Sequence, residues 1–327
     1  MAGEADTRRF APTPADRPAG VRLFRARHFA EIAVIAVMVI WAANFIVVKD
    51  ATSHMPPVGF TFLRYSLASV ALLVIVRWYE GSVRLPRPDV ARILVLGAVG
   101  FGAYQVLWTV GLQSIPAGDS ALIIAATPVF TAVLAVAAGA DTLSPMKFAG
   151  AMLSFVGVVI VIAAGIGISM TGSLIGSGLT LVAALCWASY TAFAAPVLRR
   201  HSPLVLTTWA TIAGTLAMAP IGLSQLLAPG ALGPAQADRI VPIALAVAFS
   251  GLLAAALANV IVFNGVRLLG PTRVITLQSL VPAMAVVLAA IFLQEPIRPV
   301  QVLGGGIIIL GVALTRYASR VPAATRR

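Results

Sequence analysis

The second half of this 327-residue chain repeats the first half. At an offset of 154 positions, glycines and prolines align in five pairs: Gly111 with Gly265, Pro128 with Pro282, Pro145 with Pro299, Gly150 with Gly304 and Gly157 with Gly311. Nearer the start of each half, a slightly shorter offset aligns Trp41 with Trp187, His54 with His201 and Pro56 with Pro203. Such a repeat restricts the fold to two similar units that pack against each other. A ligand site is then expected where the two units meet.

The composition indicates that most of the chain does not face water. Apolar residues make up 60% of the sequence and charged residues 10%, whereas soluble domains carry about 25% charged residues. Ten apolar segments have the length of about 20 residues that crosses a bilayer as a helix, and none alternates like a barrel strand. They cover residues 31–48, 57–77, 92–112, 117–138, 146–166, 174–196, 204–226, 240–263, 272–293 and 299–316. The sequence therefore predicts an all-α integral membrane protein with ten spans.

The ten spans divide equally between two repeats. We predict a first five-helix repeat over residues 31–166 and a second over residues 174–316. Residues 1–30 are rich in Pro, Ala and Arg and contain no long apolar run, so they are predicted to form a disordered basic tail. Residues 317–327 form a short basic C-terminal tail.

The distribution of Lys and Arg predicts the orientation of the spans. Nineteen of the 23 basic residues lie in the two tails or in the connections after even-numbered spans. Only Lys49, Arg239 and Arg298 lie on the other side. Because cytoplasmic loops carry the excess of basic residues, both termini are predicted to be cytoplasmic, in a multi-pass protein of the inner (plasma) membrane. Five spans per repeat make the second repeat enter from the opposite face, so the two repeats are predicted to be inverted.

Several function classes are excluded by what the sequence lacks. The formal charge of +12 is spread in short clusters between apolar runs, which argues against a nucleic-acid partner. One cysteine and three scattered histidines make no metal site. All eleven Asp and Glu residues lie in tails, loops or span ends, and no nucleophile–base arrangement is present. The sequence predicts neither an enzyme nor a cofactor nor a metal site.

Matching polar and aromatic residues lie at mid-depth in spans 1 and 6. Trp41 and Asn44 are three residues apart and share one helix face, and Trp187 and Tyr190 have the same spacing in span 6. Polar groups at this depth are costly unless they face the protein interior or a wet cavity. We interpret them as two walls of a substrate cavity, one from each repeat. The alternative is that the tryptophans fill a helix interface.

Span 3 carries three further candidates for binding a substrate: Tyr104, Gln105 and Trp108. Asn259 in span 8 aligns with Gln105 at the 154-residue offset. Because amides both donate and accept hydrogen bonds, the pair suits a polar neutral or zwitterionic substrate. Hydrogen bonding between helices is the alternative role for these amides.

Prolines inside spans 4 and 9 indicate a local break in each helix. Gln278 precedes Pro282 in span 9, and Thr127 precedes Pro128 in span 4. A proline inside a helix leaves a backbone carbonyl without its partner, and in membranes such carbonyls line binding sites. A plain kink is the other interpretation. We include Gln278 among the candidate binding residues.

Arg64 is the one ionised side chain well inside a span. It could bind an anionic substrate group such as a carboxylate. Its place about 10 Å from the outer end of the helix also allows a structural role, in which the side chain snorkels or binds backbone carbonyls.

Glycines seven residues apart give spans 5 and 10 one smooth face each. Gly150 and Gly157 lie on span 5, and Gly304 and Gly311 lie on span 10. Small residues allow membrane helices to pack closely. These faces are predicted to pack on each other or on a second copy of the chain in a homodimer.

Four stretches of the sequence carry a resemblance to a known family. They are Trp-Ala-Ala-Asn-Phe at 41–45, Pro-Pro-Val-Gly-Phe-Thr-Phe-Leu-Arg-Tyr at 56–65, Asp-Thr-Leu-Ser-Pro-Met-Lys-Phe-Ala-Gly at 141–150 and Gln-Glu-Pro-Ile-Arg-Pro-Val-Gln-Val-Leu-Gly at 294–304. In these stretches the chain resembles the drug/metabolite transporter (DMT) superfamily, specifically its EamA-type ten-helix carriers. The resemblance implies that spans 1, 3, 4, 6, 8 and 9 surround a substrate cavity and that spans 5 and 10 lie outside it.

The sequence supports one leading function and two alternatives. The leading hypothesis is an inner-membrane transporter that exports amino acids or related small metabolites by alternating access, with a small molecule and the lipid bilayer as its partners. The tryptophans would also suit an importer of an aromatic nutrient such as riboflavin. A membrane scaffold or receptor that transports nothing would leave the mid-depth polar residues without a role.

Overall fold

The fold is a bundle of membrane-spanning helices. The computed structural model describes residues 19–81, 87–138, 144–165, 170–198, 200–230 and 238–320. Within these ranges there is no β-strand, and ten helical segments are long and apolar enough to cross a membrane, as predicted. They are spans 1 to 10, which run over Arg27–Thr52, Pro57–Glu80, Asp89–Ser114, Ala117–Ala137, Pro145–Ala163, Ser173–Leu198, Pro203–Leu227, Ile240–Leu269, Arg273–Phe292 and Pro299–Ala318.

Five spans are single helices and five are interrupted. The single helices are Ala19–Thr52, Pro57–Glu80, Pro145–Gly165, Pro203–Leu227 and Pro299–Arg320. Span 4 consists of Ala117–Ile124 and Thr127–Ala137, span 6 of Met170–Phe193 and Ala195–Leu198, and span 9 of Pro271–Gln278 and Leu280–Phe292. Spans 3 and 8 each contain a π-helical segment, with α-helices at Arg87–Gly97, Tyr104–Ser114, Ile240–Ala248 and Ala258–Leu269 around it.

The breaks in spans 4 and 9 lie where the prolines predict them. A proline ring clashes with the carbonyl four residues earlier, and the first helix of span 4 ends at Ile124, four residues before Pro128. Span 9 follows the same rule, because its first helix ends at Gln278, four residues before Pro282. The carbonyl of Ile124 is satisfied by the hydroxyl of Thr127 at 2.6 Å.

The π-helical segments lie at matching places in the two halves. They cover Ala98–Ala103 in span 3 and Phe249–Leu257 in span 8, and their last residues are 154 positions apart. A π-helix widens the turn, and such segments are frequent at functional sites. Candidate binding residues lie within two positions after each segment, Tyr104 and Gln105 in span 3 and Asn259 in span 8.

The structure corrects the predicted disorder of the N-terminal tail. The first helix begins at Ala19, so residues 19–30 are helical rather than disordered. No proline follows Pro18 in this stretch, and its Ala, Leu and Arg residues favour helix. Adding turns to an existing helix is also easier than starting one. Residues 1–18 and 321–327 of the predicted tails, and part of the link between the repeats, lie outside the described residues.

Spans 5 and 10 pack on each other through their glycine faces, within one chain. A Cβ atom added to Gly157 would lie 2.7 Å from the carbonyl oxygen of Gly304, and one on Gly150 would lie 2.8 Å from that of Gly311. Between these two contacts, the Ser154 hydroxyl donates to the carbonyl of Ile308, which is 154 residues further along the chain. The glycine faces therefore need no second copy of the chain to cover them.

Close backbone contacts also join the halves at the sides of the bundle. A Cβ atom on Gly97 of span 3 would lie 2.5 Å from the carbonyl oxygen of Ala210 in span 7. The equivalent Gly251 of span 8 makes the same approach to the carbonyl oxygen of Arg64 in span 2. The second contact fixes the backbone of Arg64 against the π-helical segment of span 8.

The glycine interface gives a first testable prediction. Gly311→Leu should destabilise the protein by about 1–3 kcal/mol, as overpacking a tight contact does, because its Cβ atom alone would lie 2.4 Å from the Ser154 hydroxyl oxygen and 2.5 Å from the Ser154 nitrogen. The measurement is the thermal midpoint in detergent. Gly306→Leu is the matched control, since Gly306 is exposed and a Cβ atom there meets nothing within 4 Å. Equal midpoints for the two variants would contradict the packing argument.

Candidate functional site

A cavity of about 850 Å³ lies between the two halves of the bundle. A volume of this size fits a small molecule. Nine of the ten residues predicted from the sequence line it: Trp41, Asn44, Arg64, Tyr104, Gln105, Trp108, Trp187, Asn259 and Gln278. Both residues of each equivalent pair, Trp41 with Trp187 and Gln105 with Asn259, therefore line the same cavity.

The cavity walls include two spans that the resemblance did not imply. Span 2 contributes Arg64 and Tyr65. Span 10 contributes Ile309, Val312, Ala313, Arg316 and Tyr317. The expectation that span 10 lies outside the cavity is therefore wrong. One face of span 10 packs on span 5 through its glycines, and a helix has a second face that remains available for the cavity. Among the described lining residues, spans 5 and 7 contribute none.

Aromatic rings form much of one wall. The rings of Trp187 and Tyr104 are 5.4 Å apart, and those of Trp187 and Phe101 are also 5.4 Å apart. On the span 1 side, Phe45 meets Trp108 edge to face at 5.2 Å. Aromatic pairs at these distances prefer the offset and edge-to-face geometries seen here. The wall thus presents flat apolar surfaces with few mobile atoms.

Tyr190 is the predicted residue that the structure does not bring to the cavity. It is 8% exposed and stacks behind Trp187, with ring centroids 5.3 Å apart. A Cβ atom added to Gly100 would clash with the Cβ atom of Tyr190. The absence of a side chain on Gly100 therefore makes room for Tyr190. Residues three apart share a helix face only broadly, and here the second ring fills the interface between spans 6 and 3.

Polar side chains at the cavity wall are joined by a continuous chain of hydrogen bonds. The guanidinium of Arg64 donates to Ser250 Oγ at 2.8 Å and to Gln105 Oε1 at 2.6 Å. Ser250 donates to Asn44 Oδ1, and Gln105 donates to the hydroxyl of Tyr65 at 2.6 Å. The chain joins spans 1, 2, 3 and 8 and gives Gln105 a defined orientation.

Two further candidates bond to backbone carbonyls near the second π-helical segment. Trp41 donates its indole N–H to the carbonyl of Ala254 at 3.0 Å. Asn259 donates an N–H of its side-chain amide to the carbonyl of Ala255, one turn earlier, and this bond does not use its side-chain oxygen. The segment thus supplies acceptors that hold side chains at the cavity wall.

A charged cluster closes one end of the bundle. Glu295, just before span 10, accepts hydrogen bonds from the backbone N–H groups of Ala117 and Gly118 at the start of span 4, at 2.9 and 3.3 Å. Lys49, near the end of span 1, lies 3.3 Å from the same carboxylate. Anions are stabilised at helix N-termini, so this contact favours the closed arrangement.

A second ion pair reinforces the same end. Asp119 in the first turn of span 4 pairs with Arg298 at 2.7 Å and accepts a hydrogen bond from Gln301 at 2.7 Å. We call the residues Lys49, Asp119, Glu295, Arg298 and Gln301 the end cluster. It connects spans 1 and 4 of the first half to the segment that begins span 10 of the second half.

The cavity continues toward the opposite end of the bundle. Its lining includes Ile275 and Thr276 near the start of span 9 and Arg316 and Tyr317 near the end of span 10. Arg316 donates to the carbonyl of Ile275 at 3.3 Å, and so joins the two spans at this end. Ion pairs join spans at this end too, between Glu31 and Arg273 and between Asp89 and the residues Arg200 and His201, but the cavity lining extends toward this end and includes no residue of the end cluster.

Tyr65, Phe101 and Ser250 are among the residues of the site that were not predicted from the sequence. Tyr65 follows Arg64 directly, Phe101 stands between Gly100 and Gly102, and Ser250 lies in the second π-helical segment. The glycines beside Phe101 were a usable signal, because glycine inside a helix marks a close approach. Ser250 has no counterpart of similar chemistry at the equivalent position in the first half, so the repeat does not reveal it.

Comparisons with known proteins agree with this architecture. A solved structure covers 90% of this chain and 100% of its own length with a TM-score of 0.61 at 17% identity, which shows a shared fold. A protein of Salmonella typhimurium named "Probable amino-acid metabolite efflux pump" is 30% identical over 302 residues, which cover 88% of this chain and 94% of the relative. A Streptantibioticus cattleyicolor protein named "Probable terminal-alkyne amino-acid exporter" is 30% identical over 283 residues, with coverage of 86% and 91%.

The two halves of the chain also match one family individually. Residues 28–163 and residues 174–317 each match the EamA-like transporter family. These matches confirm the resemblance to drug/metabolite transporters. This multi-pass membrane protein belongs to the EamA-like transporter family.

Proposed function

We propose that the protein exports amino acids or related small metabolites across the inner membrane by alternating access. The observation that carries the proposal is the cavity itself, which residues of both halves line and which extends away from the end that the end cluster holds together. Alternating access requires such a site at the interface of two repeats, with one end open at a time. The names of the two relatives support both the substrate class and the outward direction.

The proposed orientation places both termini in the cytoplasm. Basic residues are concentrated at the end that includes the start of span 1 and the end of span 10. The paired contacts Gly150 with Gly311 and Gly157 with Gly304 support an inverted relation of the repeats, because exchanging the halves exchanges the two contacts. With this orientation the cavity is accessible from the cytoplasm and the end cluster faces the outside.

We assign substrate binding to the aromatic and amide residues of the lining. Trp41, Tyr104, Trp108 and Trp187 provide flat apolar surfaces for the side chain of the substrate, and the amides of the cavity pair with its polar groups. Tyr190 supports Trp187 from behind and acts on the substrate only through that ring.

A transport assay tests these assignments. The assay uses proteoliposomes loaded with radiolabelled amino acids. We expect Trp41→Ala and Gln105→Ala each to lower the export rate at least about 10-fold. Each substitution removes a buried contact, made either to the substrate or within the chain of hydrogen bonds at the cavity wall. Trp78→Ala is the control, because Trp78 is 84% exposed and lies outside the cavity. Unchanged flux in both cavity variants would exclude this site.

Import of an aromatic nutrient such as riboflavin is a second candidate, which the aromatic wall favours. Efflux and uptake of labelled amino acid and labelled riboflavin, measured in cells with and without the protein, separate the two. Accumulation of riboflavin without amino-acid efflux would replace the first proposal. A scaffold or receptor without transport activity would move neither compound.

A further inference from the structure

Arg64 is a buried cation that has no acidic partner among the described residues. Arg64 is the eighth of the 24 residues of span 2, and it is 1% exposed. Within the part of the chain that the structure describes, the ion pairs involve Lys49, Arg200, His201, Arg273 and Arg298, and none of them involves Arg64. A cation at this depth of a membrane is costly unless an anion or several dipoles compensate it.

The protein groups around Arg64 compensate its charge only in part. A guanidinium has five N–H donors, and the hydrogen bonds to Ser250 and Gln105 use one N–H each, both toward neutral oxygens. The Nε atom is buried and has no hydrogen-bond partner. Aromatic rings approach the guanidinium carbon, with Tyr65 at 5.0 Å and Trp108 at 5.5 Å to the ring centres. The aromatic faces attract the cation but accept no strong hydrogen bond.

The cavity wall beside Arg64 provides a positive charge for an anion, whereas its described residues provide no negative charge for a cation. No Asp or Glu is among the described lining residues, and its two ionised groups are Arg64 and Arg316. Arginine is well matched to carboxylates, since its planar N–H groups bind both carboxylate oxygens at once. An ammonium group in this cavity would meet aromatic faces and amide oxygens but no opposite charge.

We propose that Arg64 anchors the carboxylate of the transported molecule and that the carboxylate, not the ammonium group, is what the protein requires of its substrate. This inference rests on the proposed transport function and narrows it. The substrate class is then organic carboxylates with an apolar or aromatic side chain. Amino acids belong to it, and so do their deaminated or N-acylated acids. Ser250 and Gln105 position the guanidinium, and the substrate carboxylate completes its hydrogen bonds.

A ligand series on the unmodified protein tests the requirement. The probes are phenylalanine, phenylalaninamide, phenethylamine and 3-phenylpropanoate, with 3-phenylpropanamide as the neutral match of the last. Binding is read from quenching of tryptophan fluorescence, since Trp41, Trp108 and Trp187 line the cavity. We expect 3-phenylpropanoate to bind at least about 10-fold more tightly than its amide, because the charged bidentate pair is lost. Phenylalanine should likewise exceed phenylalaninamide and phenethylamine. Equal binding of acid and amide, or no binding of the acid, would overturn the inference.

Substitutions at Arg64 separate charge from shape. Arg64→Gln should abolish the preference for acid over amide, and Arg64→Lys should retain the preference while binding the acid more weakly, since lysine keeps the charge but not the planar fork. Arg77→Gln is the matched control, because Arg77 lies on the same helix, is exposed and donates to Gly81. If Arg64→Gln does not fold, the comparison of acid and amide on the unmodified protein still decides the matter. A preference that survives in folded Arg64→Gln would place the anchor elsewhere.

The same series distinguishes failure of the inference from failure of the proposed function. Preferred binding of the acids without export of any amino acid would discard amino-acid export and leave the carboxylate anchor intact. Export of amino acids together with equal competition by their amides would discard the anchor and leave the transport function intact.

Discussion

Glu295→Gln is expected to open the end of the bundle that the end cluster closes. The substitution keeps the size of the side chain but removes the charge that pairs with Lys49 at 3.3 Å and accepts from two backbone N–H groups of span 4. Hydrogen bonds to charged groups contribute about 1.5–3 kcal/mol. Their loss should raise the population of the outward-open conformation roughly 10- to 100-fold. Transport should then become leaky or slow, since the two ends no longer open in turn.

Cysteine accessibility measures this opening. Cys186 is the single cysteine of the chain, so Cys186→Ser provides a background without thiols. Ala121→Cys then places a reporter in the first helix of span 4, on the cavity wall. A membrane-impermeant thiol reagent added to whole cells should label this position at least about 10-fold faster when Glu295→Gln is also present.

Glu80→Gln is the matched control for that experiment. It makes the same chemical change to an exposed carboxylate at the opposite end of the bundle, where Glu80 accepts from the hydroxyl of Ser202. Labelling from outside should not change in this variant. Equal labelling with and without Glu295→Gln would show that the end cluster does not hold the cavity closed.

Trp187→Ala is expected to damage both stability and transport. The indole contacts Phe101, Tyr104 and Tyr190, with ring centres between 5.3 and 5.4 Å away. Each aromatic pair contributes about 0.5–1.5 kcal/mol beyond burial, and removing a buried Trp costs about 3–5 kcal/mol in well-packed cores. Because Trp187 is only half-buried, we expect the free energy of unfolding to fall by about 2–3 kcal/mol. Export should fall at least about 10-fold, since a wall of the cavity is lost.

The thermal midpoint in detergent and the export rate in proteoliposomes check both effects. Trp187→Phe should recover most of the stability, because an aromatic ring again meets Tyr104. Trp78→Ala removes the same side chain from an exposed position and should change stability by less than about 0.5 kcal/mol. If Trp187→Ala behaved like Trp78→Ala, the aromatic wall would contribute to neither property.

Local features of the sequence predicted much of the fold. Pro128 and Pro282 ended their helices four residues upstream, as ring geometry requires. The seven-residue spacing of Gly150 and Gly157 revealed a smooth face and hence a close helix contact. These predictions held because each depends on a single residue or on one helix face.

The sequence predicted which side chains would face a cavity better than it predicted which spans would form the cavity walls, and substrate binding by these residues stays a prediction. Polar and aromatic side chains at mid-depth had to face the interior, and nine of the ten candidates line the cavity. Tyr190 and the inner face of span 10 departed from expectation because both depend on which neighbour a helix face meets. Helix periodicity tells which residues share a face but not what lies opposite.

The sequence by itself determined that the chain crosses the membrane ten times, that it is duplicated and which side chains lie too deep to face lipid. Those properties follow from local hydropathy and from an internal comparison of the two halves. Only the tertiary structure decided that Arg64 meets Ser250, which is 186 positions away, and that Glu295 closes one end on the start of span 4. Such contacts depend on the packing of helices distant in sequence, where small differences in rotation and in backbone approach select one partner among many.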